Sequence, residues 1–178
     1  MLTKLDIEKY FIAEKQESIL FFSIGIIAIL AAIVFIFLLK NNFWRGMAIP
    51  LIIIGILQTI VGFTIYNRSD ADRIRMVYAY DMNPQEIKAK ELPRMEKVNK
   101  SFVVYRWIEI SLILIGIALI LKYKNDYLIE NCWSGYAFTL GIAIGIVIQA
   151  TLMLGADYFA EKRAKIYTNH IIEFVNKK

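Results

Sequence analysis

Four apolar runs divide this chain: residues 19–39, 47–66, 103–121 and 133–156. Each is about as long as a helix needs to be to cross a bilayer, roughly 20 residues. A buried core helix accounts for any one of them alone. Four in 178 residues leave too little polar sequence to coat them all. The pattern therefore predicts an all-α membrane protein with four transmembrane helices.

The polar stretches follow the apolar ones without helix breakers, which predicts that the membrane helices continue into extensions in water. After Ala156 the fourth run passes directly into Asp157, Glu161, Lys162, Arg163 and Lys165. Ahead of the first run, Ile7, Tyr10, Phe11 and Glu14 recur at helical spacing, which predicts an N-terminal helix on the membrane surface or lining a vestibule. Beyond the second run, Ile74, Val77 and Tyr78 suggest an apolar stripe. A turn at Asp81-Met82-Asn83-Pro84 then starts the next helix, which Pro93 is expected to kink or interrupt. The sequence 41–46 reads as a tight turn, and 122–131 as a polar loop. The expected organisation is a cytoplasmic helix over 1–18, membrane helices over 19–66, a cytoplasmic helical hairpin over 67–102, membrane helices over 103–156, and a cytoplasmic helix over 157–178.

Charge gives this arrangement a direction. Of 21 basic residues, three precede the first run, nine lie between Arg68 and Arg106, and five follow the fourth run. Lys40, Arg45, Lys122 and Lys124 alone occupy the opposite loops. Basic excess marks the cytoplasmic side, so both termini are expected there. Trp44, Tyr123, Tyr127 and Trp133 form one expected interfacial belt, and Tyr66, Tyr105 and Trp107 the other. The first 18 residues carry mixed charge and do not read as a signal peptide. The single cysteine, Cys132, excludes an internal disulfide and a cysteine-built metal site. No cofactor motif is present, and no metal site is expected.

Within the runs, Gln58 and Gln149 are candidates either for an interhelical hydrogen bond or for a pore lining. Gly141 and Gly145 form a small-xxx-small pair suited to close helix contact. Arg106 stands three residues from Glu109 and is expected to pair with it. With one histidine there is no two-histidine zinc motif, and there is no glycine-rich phosphate loop. Arg163 and His170 are seven residues apart and so share a helix face, on which Phe159, Ile166 and Phe174 are also expected. The pair reads either as an arginine capped by a carboxylate beside a half-buried histidine, or as a site where the histidine does acid–base work and the arginine neutralises a phosphate.

The segment Arg163-Ala-Lys-Ile-Tyr-Thr-Asn-His170 matches the Arg-x4–6-His pattern of HEPN ribonucleases. Together with small size, membrane helices and helical extensions, it makes the chain resemble the membrane accessory protein of type VI-B CRISPR systems. The resemblance implies a pore built from a ring of subunits, about six or more. It further implies that the pore depolarises the inner membrane in antiviral defence, beside an RNA-guided, RNA-cleaving nuclease. Arg163 and His170 are then HEPN-like catalytic candidates. The typical motif has a polar residue directly after the arginine, and Ala164 stands there, which argues against ribonuclease activity. Two other functions stay open: a membrane-bound ribonuclease using Arg163 and His170, and a non-catalytic membrane-anchored binding or immunity protein. The partners expected are the lipid bilayer and further copies of the chain; direct RNA binding is not expected, because basic and aromatic residues do not alternate.

Overall fold

The computed structural model describes residues 2–129 and 135–176, and side chains other than those of 126–129. Tyr127, Cys132 and Trp133, noted above, lie outside the described side chains, as do two of the five basic residues that follow the fourth run, Lys177 and Lys178. The fold is all-α. Helix α1 spans Lys4–Val34 and ends in a π-turn, Phe35–Leu39. Helix α2 spans Asn42–Met82; a single turn α3, Pro84–Glu86, and a second π-turn, Ile87–Glu91, lead into α4, Leu92–Ile129; α5 spans Gly135–Asn176. Four helical stretches, Lys4–Leu39, Asn42–Met82, Pro84–Asn125 and Gly135–Asn176, are long and apolar enough to cross a membrane. The protein is a multi-pass membrane helix bundle.

Several local expectations are revised. The turn expected over 41–46 shrinks to Lys40, in the left-handed conformation at φ 57°, and Asn41. The Asn41 side-chain oxygen accepts from the Trp44 N–H at 3.0 Å, so it caps α2 and lets the helix begin at Asn42. The stretch 122–131 is helical through Ile129. Pro93 does not interrupt its helix. The π-turn just before it closes with Leu92 N–H on the Ile87 carbonyl, shifting the backbone where a proline ring would meet the preceding turn.

Contacts divide the chain into two compact units. The polar unit comprises Met1–Leu20, Gly62–Arg106 and Ala156–Lys178; the apolar unit comprises Phe21–Val61 and Trp107–Gly155. The polar unit has an ordinary hydrophobic core, in which Ile7 and Phe11 of α1, Met76 of α2, Met95 of α4, and Tyr167 and Ile171 of α5 are buried. The inward face of this part of α1 is therefore covered by its own chain. On α2 the inward residues are Ser69, Met76 and Ala79, with Val77 at the margin. Ile74, Tyr78 and Met82 point outward, 65%, 63% and 68% exposed.

The apolar unit is joined differently. Lipid is as apolar as a leucine side chain, so close backbone approach replaces hydrophobic exclusion as the source of attraction. A Cβ on Gly141 would collide with the Phe43 carbonyl, and one on Gly145 would lie 2.7 Å from Pro50 Cγ. The Gly141–Gly145 pair thus seats α5 on α2 within one chain. Gly46 returns the contact against the Phe138 backbone, and Gly25 and Gly55 bring α1 and α2 equally close.

Candidate functional site: a carboxylate clasp over a buried charge network

The site lies in the polar unit and begins with the cap of α1. Thr3 N–H donates to Asp6 Oδ2 at 2.9 Å, and Asp6 N–H donates to Thr3 Oγ1 at 3.2 Å. This reciprocal capping fixes the Asp6 carboxylate at the first turn of α1. The hydrogen bond from the Thr3 hydroxyl is the main reason that the Asp6 carboxyl sits below the usual carboxylate range. His170 Nδ1 lies 3.7 Å from Asp6 Oδ2. One helical stretch further along, Glu17 forms an ion pair with Arg163.

Arg163 and His170 are brought together at a cavity of about 160 Å³, lined also by Lys9, Tyr10, Ile166 and Tyr167. They occupy the edge of α5, not its buried side. That side carries Glu161, Ala164, Thr168, Ile171 and Phe174, while Phe159 and Ile166 are exposed. Seven residues advance a helix by about two turns less 20°, so the pair does share a face. The apolar residues assigned to that face are divided between core and surface. Both members of the pair meet carboxylates from α1, so a phosphate at the cavity has to compete with Glu17 and Asp6.

Behind the cavity lies a network that the sequence reading did not single out. The Tyr10 and Tyr167 rings stack, and burial pushes both phenols well above their ordinary range. Glu91, 1% exposed, receives two bonds from Arg94, from Nε at 2.8 Å and from Nη2 at 2.7 Å. Glu14 meets Arg68 at 3.2 Å and accepts from the Ser69 hydroxyl at 3.3 Å. Burial raises the Glu14 carboxyl above its ordinary range despite Arg68 and Arg94. The available signals were the Glu91–Arg94 spacing of three and the place of Glu14 on the apolar face of α1.

Elsewhere, Arg106 pairs with Glu161 of α5 at 3.2 Å. In the apolar unit, Gln58 Nε2 donates to Gln149 Oε1 at 3.4 Å, and both residues are buried, 3% and 2% exposed. Trp44 packs against Phe35, with ring centroids 4.6 Å apart. Among the described residues no three His, Cys, Asp or Glu side chains are grouped to hold a metal ion. Comparison with protein-family models, curated proteins and solved structures gives no match.

Proposed function

We propose that the chain is the subunit of a homo-oligomeric pore in a bacterial inner membrane, with both termini and the polar unit in the cytoplasm. The observation that carries this reading is the outward stripe of α2. Ile74, Tyr78 and Met82 recur every four residues and stand open in the charged unit, with Ala71 exposed between them and Asn67. An apolar helical stripe exposed to water is an association surface. A partner inserted in the same membrane with the same orientation meets it as a parallel neighbour; where a different face of that partner covers the stripe the contact is head-to-tail, and it forms a ring when the rotation between subunits closes. The basic residues concentrated in the polar unit support the cytoplasmic assignment. The role in antiviral defence beside an RNA-guided nuclease rests on the resemblance of the Arg163–His170 segment and the helical plan.

The site geometry favours a structural role for Arg163 and His170 over RNA cleavage, since each faces a carboxylate of α1. The amides of Gln58 and Gln149 engage each other within one chain, which favours helix joining over pore lining. The test is the mass of the complex in mild detergent, together with ion flux from liposomes. A single species of about six or more subunits that conducts supports the pore. Tyr78→Asp with Ile74→Asp is expected to release smaller, non-conducting species. A wild-type monomer or dimer without flux overturns the reading and leaves the anchored binding protein in its place.

A further inference from the structure

Each long helix of the polar unit carries a cation five or six residues from the point where the chain passes into the apolar unit. These are Lys15 on α1, Arg68 on α2, Lys100 on α4 and Lys162 on α5. At about 1.5 Å per residue, all four lie some 8–9 Å along their helices from that point. Their surroundings differ. Lys15 is paired with Asp70, and Arg68 with Glu14. Lys100 and Lys162 are exposed and make no ion pair or hydrogen bond with any described residue. Each also has exposed apolar residues one turn nearer the apolar unit on its own face: Val103 and Val104 for Lys100, and Tyr158 and Phe159 for Lys162.

We infer that Lys100 and Lys162 hold the headgroups of anionic phospholipids against the outer faces of α4 and α5. The apolar residues beneath each lysine accept the upper acyl chain, and the lysine stem runs over them to place its ammonium at phosphate level. The phosphate supplies the counter-charge that the protein provides for Lys15 and Arg68 but not here. Lys97, also exposed and without an ion pair or hydrogen bond to any described residue, stands one further turn along the same face of α4 and adds to the local positive field. The inference rests on the membrane bundle and not on the pore, so it survives a monomeric protein.

The experiment counts bound lipids by native mass spectrometry after equilibration in mixed micelles of phosphatidylglycerol and phosphatidylcholine. Wild-type protein is expected to retain phosphatidylglycerol in preference. Each lysine replaced by glutamine should lower that preference about fivefold, so Lys100→Gln with Lys162→Gln should nearly remove it. Lys88→Gln is the control: Lys88 is also exposed and makes no ion pair or hydrogen bond with any described residue, but it stands 12 residues before Lys100 in the chain, further from the point where the chain passes into the apolar unit. It should leave the preference unchanged. An unchanged preference in the double variant, or an equal loss in Lys88→Gln, overturns the inference; the second outcome would mean that net charge alone governs lipid retention.

Discussion

The ring of Tyr10 lies on that of Tyr167 with centroids 4.2 Å apart and planes 9° from parallel. The contact joins α1 to α5, with Phe11 edge-on to both rings, and it floors the cavity at Arg163 and His170. Tyr167→Ala removes the stack and leaves a void in the core of the polar unit. The expected loss is about 3–5 kcal/mol, the usual range for an aromatic core truncation. Tyr167→Phe keeps the ring and should lose far less. Thermal unfolding of the two variants in detergent, beside wild type, measures the difference.

The Glu91–Arg94 pair and the Glu86–Lys90 pair join residues on neighbouring turns, yet their expected contributions differ. Lys90 reaches Glu86 at 2.9 Å at the surface, where such a pair contributes about 0–1 kcal/mol. Glu91 is buried, and Arg94 is its bidentate partner. Arg94→Ala leaves a buried carboxylate uncompensated, so about 3–5 kcal/mol should be lost. Lys90→Ala should be near neutral. Equal effects of the two substitutions would show that Glu91 reaches solvent once Arg94 is gone.

The glycines give a similar contrast in the apolar unit. Gly141→Ala forces the new methyl into the Phe43 carbonyl, which is backbone and does not move aside as a side chain does. Disruption of the α2–α5 seat and a lowered melting temperature are expected. Gly155→Ala meets nothing within 4 Å. It should be neutral or stabilising by up to about 1 kcal/mol, the helix-propensity difference between the two residues.

The large features of the fold were legible in the sequence because run length and the absence of breakers are one-dimensional signals. Four membrane-length helices followed from them directly. The inward face of α2 was not legible. Ile74, Val77 and Tyr78 satisfy helical periodicity as well as Ser69, Met76 and Ala79 do, and only the positions of the other helices decide which set is buried. The same limit applied to α5, where the spacing of Arg163 and His170 fixes a shared face but says nothing of what covers it. Glu17 and Asp6, which meet them, are more than 140 residues away in the chain. Pro93 was legible only in part: the helix departs from α geometry just before it, but as a π-turn that accommodates the proline without ending the helix, and no composition signal marks that turn.

Acid should expose the cap of α1. The Asp6 carboxyl is held below its ordinary range, chiefly by Thr3, so it binds protons less readily in the folded protein than in the unfolded chain. Its contribution is present above the unfolded value, about 3.9, and is lost as pH falls through the lowered folded value. Glu14 is raised by burial and acts in the opposite sense: folding gains as pH falls and Glu14 takes up its proton. A pH scan of wild type alone therefore mixes the two. Thr3→Ala separates them, because it removes the Asp6 partner and leaves Glu14 in place. At pH 7 the variant should be less stable by about 0.5–2 kcal/mol, the range for a lost helix cap. The gap should narrow as pH falls below about 3.9 and close only below the lowered folded value, where Asp6 is protonated in both proteins. A gap that stays constant over that range would assign the effect to the Thr3 hydroxyl alone and not to its carboxylate partner.

The clasp at Arg163 and His170 provides the last test, because its structural and catalytic readings predict different variants to matter. Arg163 is half-buried, and burial lowers its proton affinity, while Glu17 supplies the opposing charge. On the structural reading, Arg163→Ala and Glu17→Ala each break one partly exposed ion pair. Each should cost no more than about 1 kcal/mol. The double variant should cost little beyond either single one, since the interaction is lost once. Labelled single-stranded RNA should remain intact with the wild-type protein. On the catalytic reading Glu17 inhibits, because it occupies the guanidinium that a phosphate needs. Glu17→Ala should then increase cleavage, and His170→Ala should abolish it. Cleavage that rises in the first variant and vanishes in the second would transfer Arg163 and His170 from the scaffold to the chemistry.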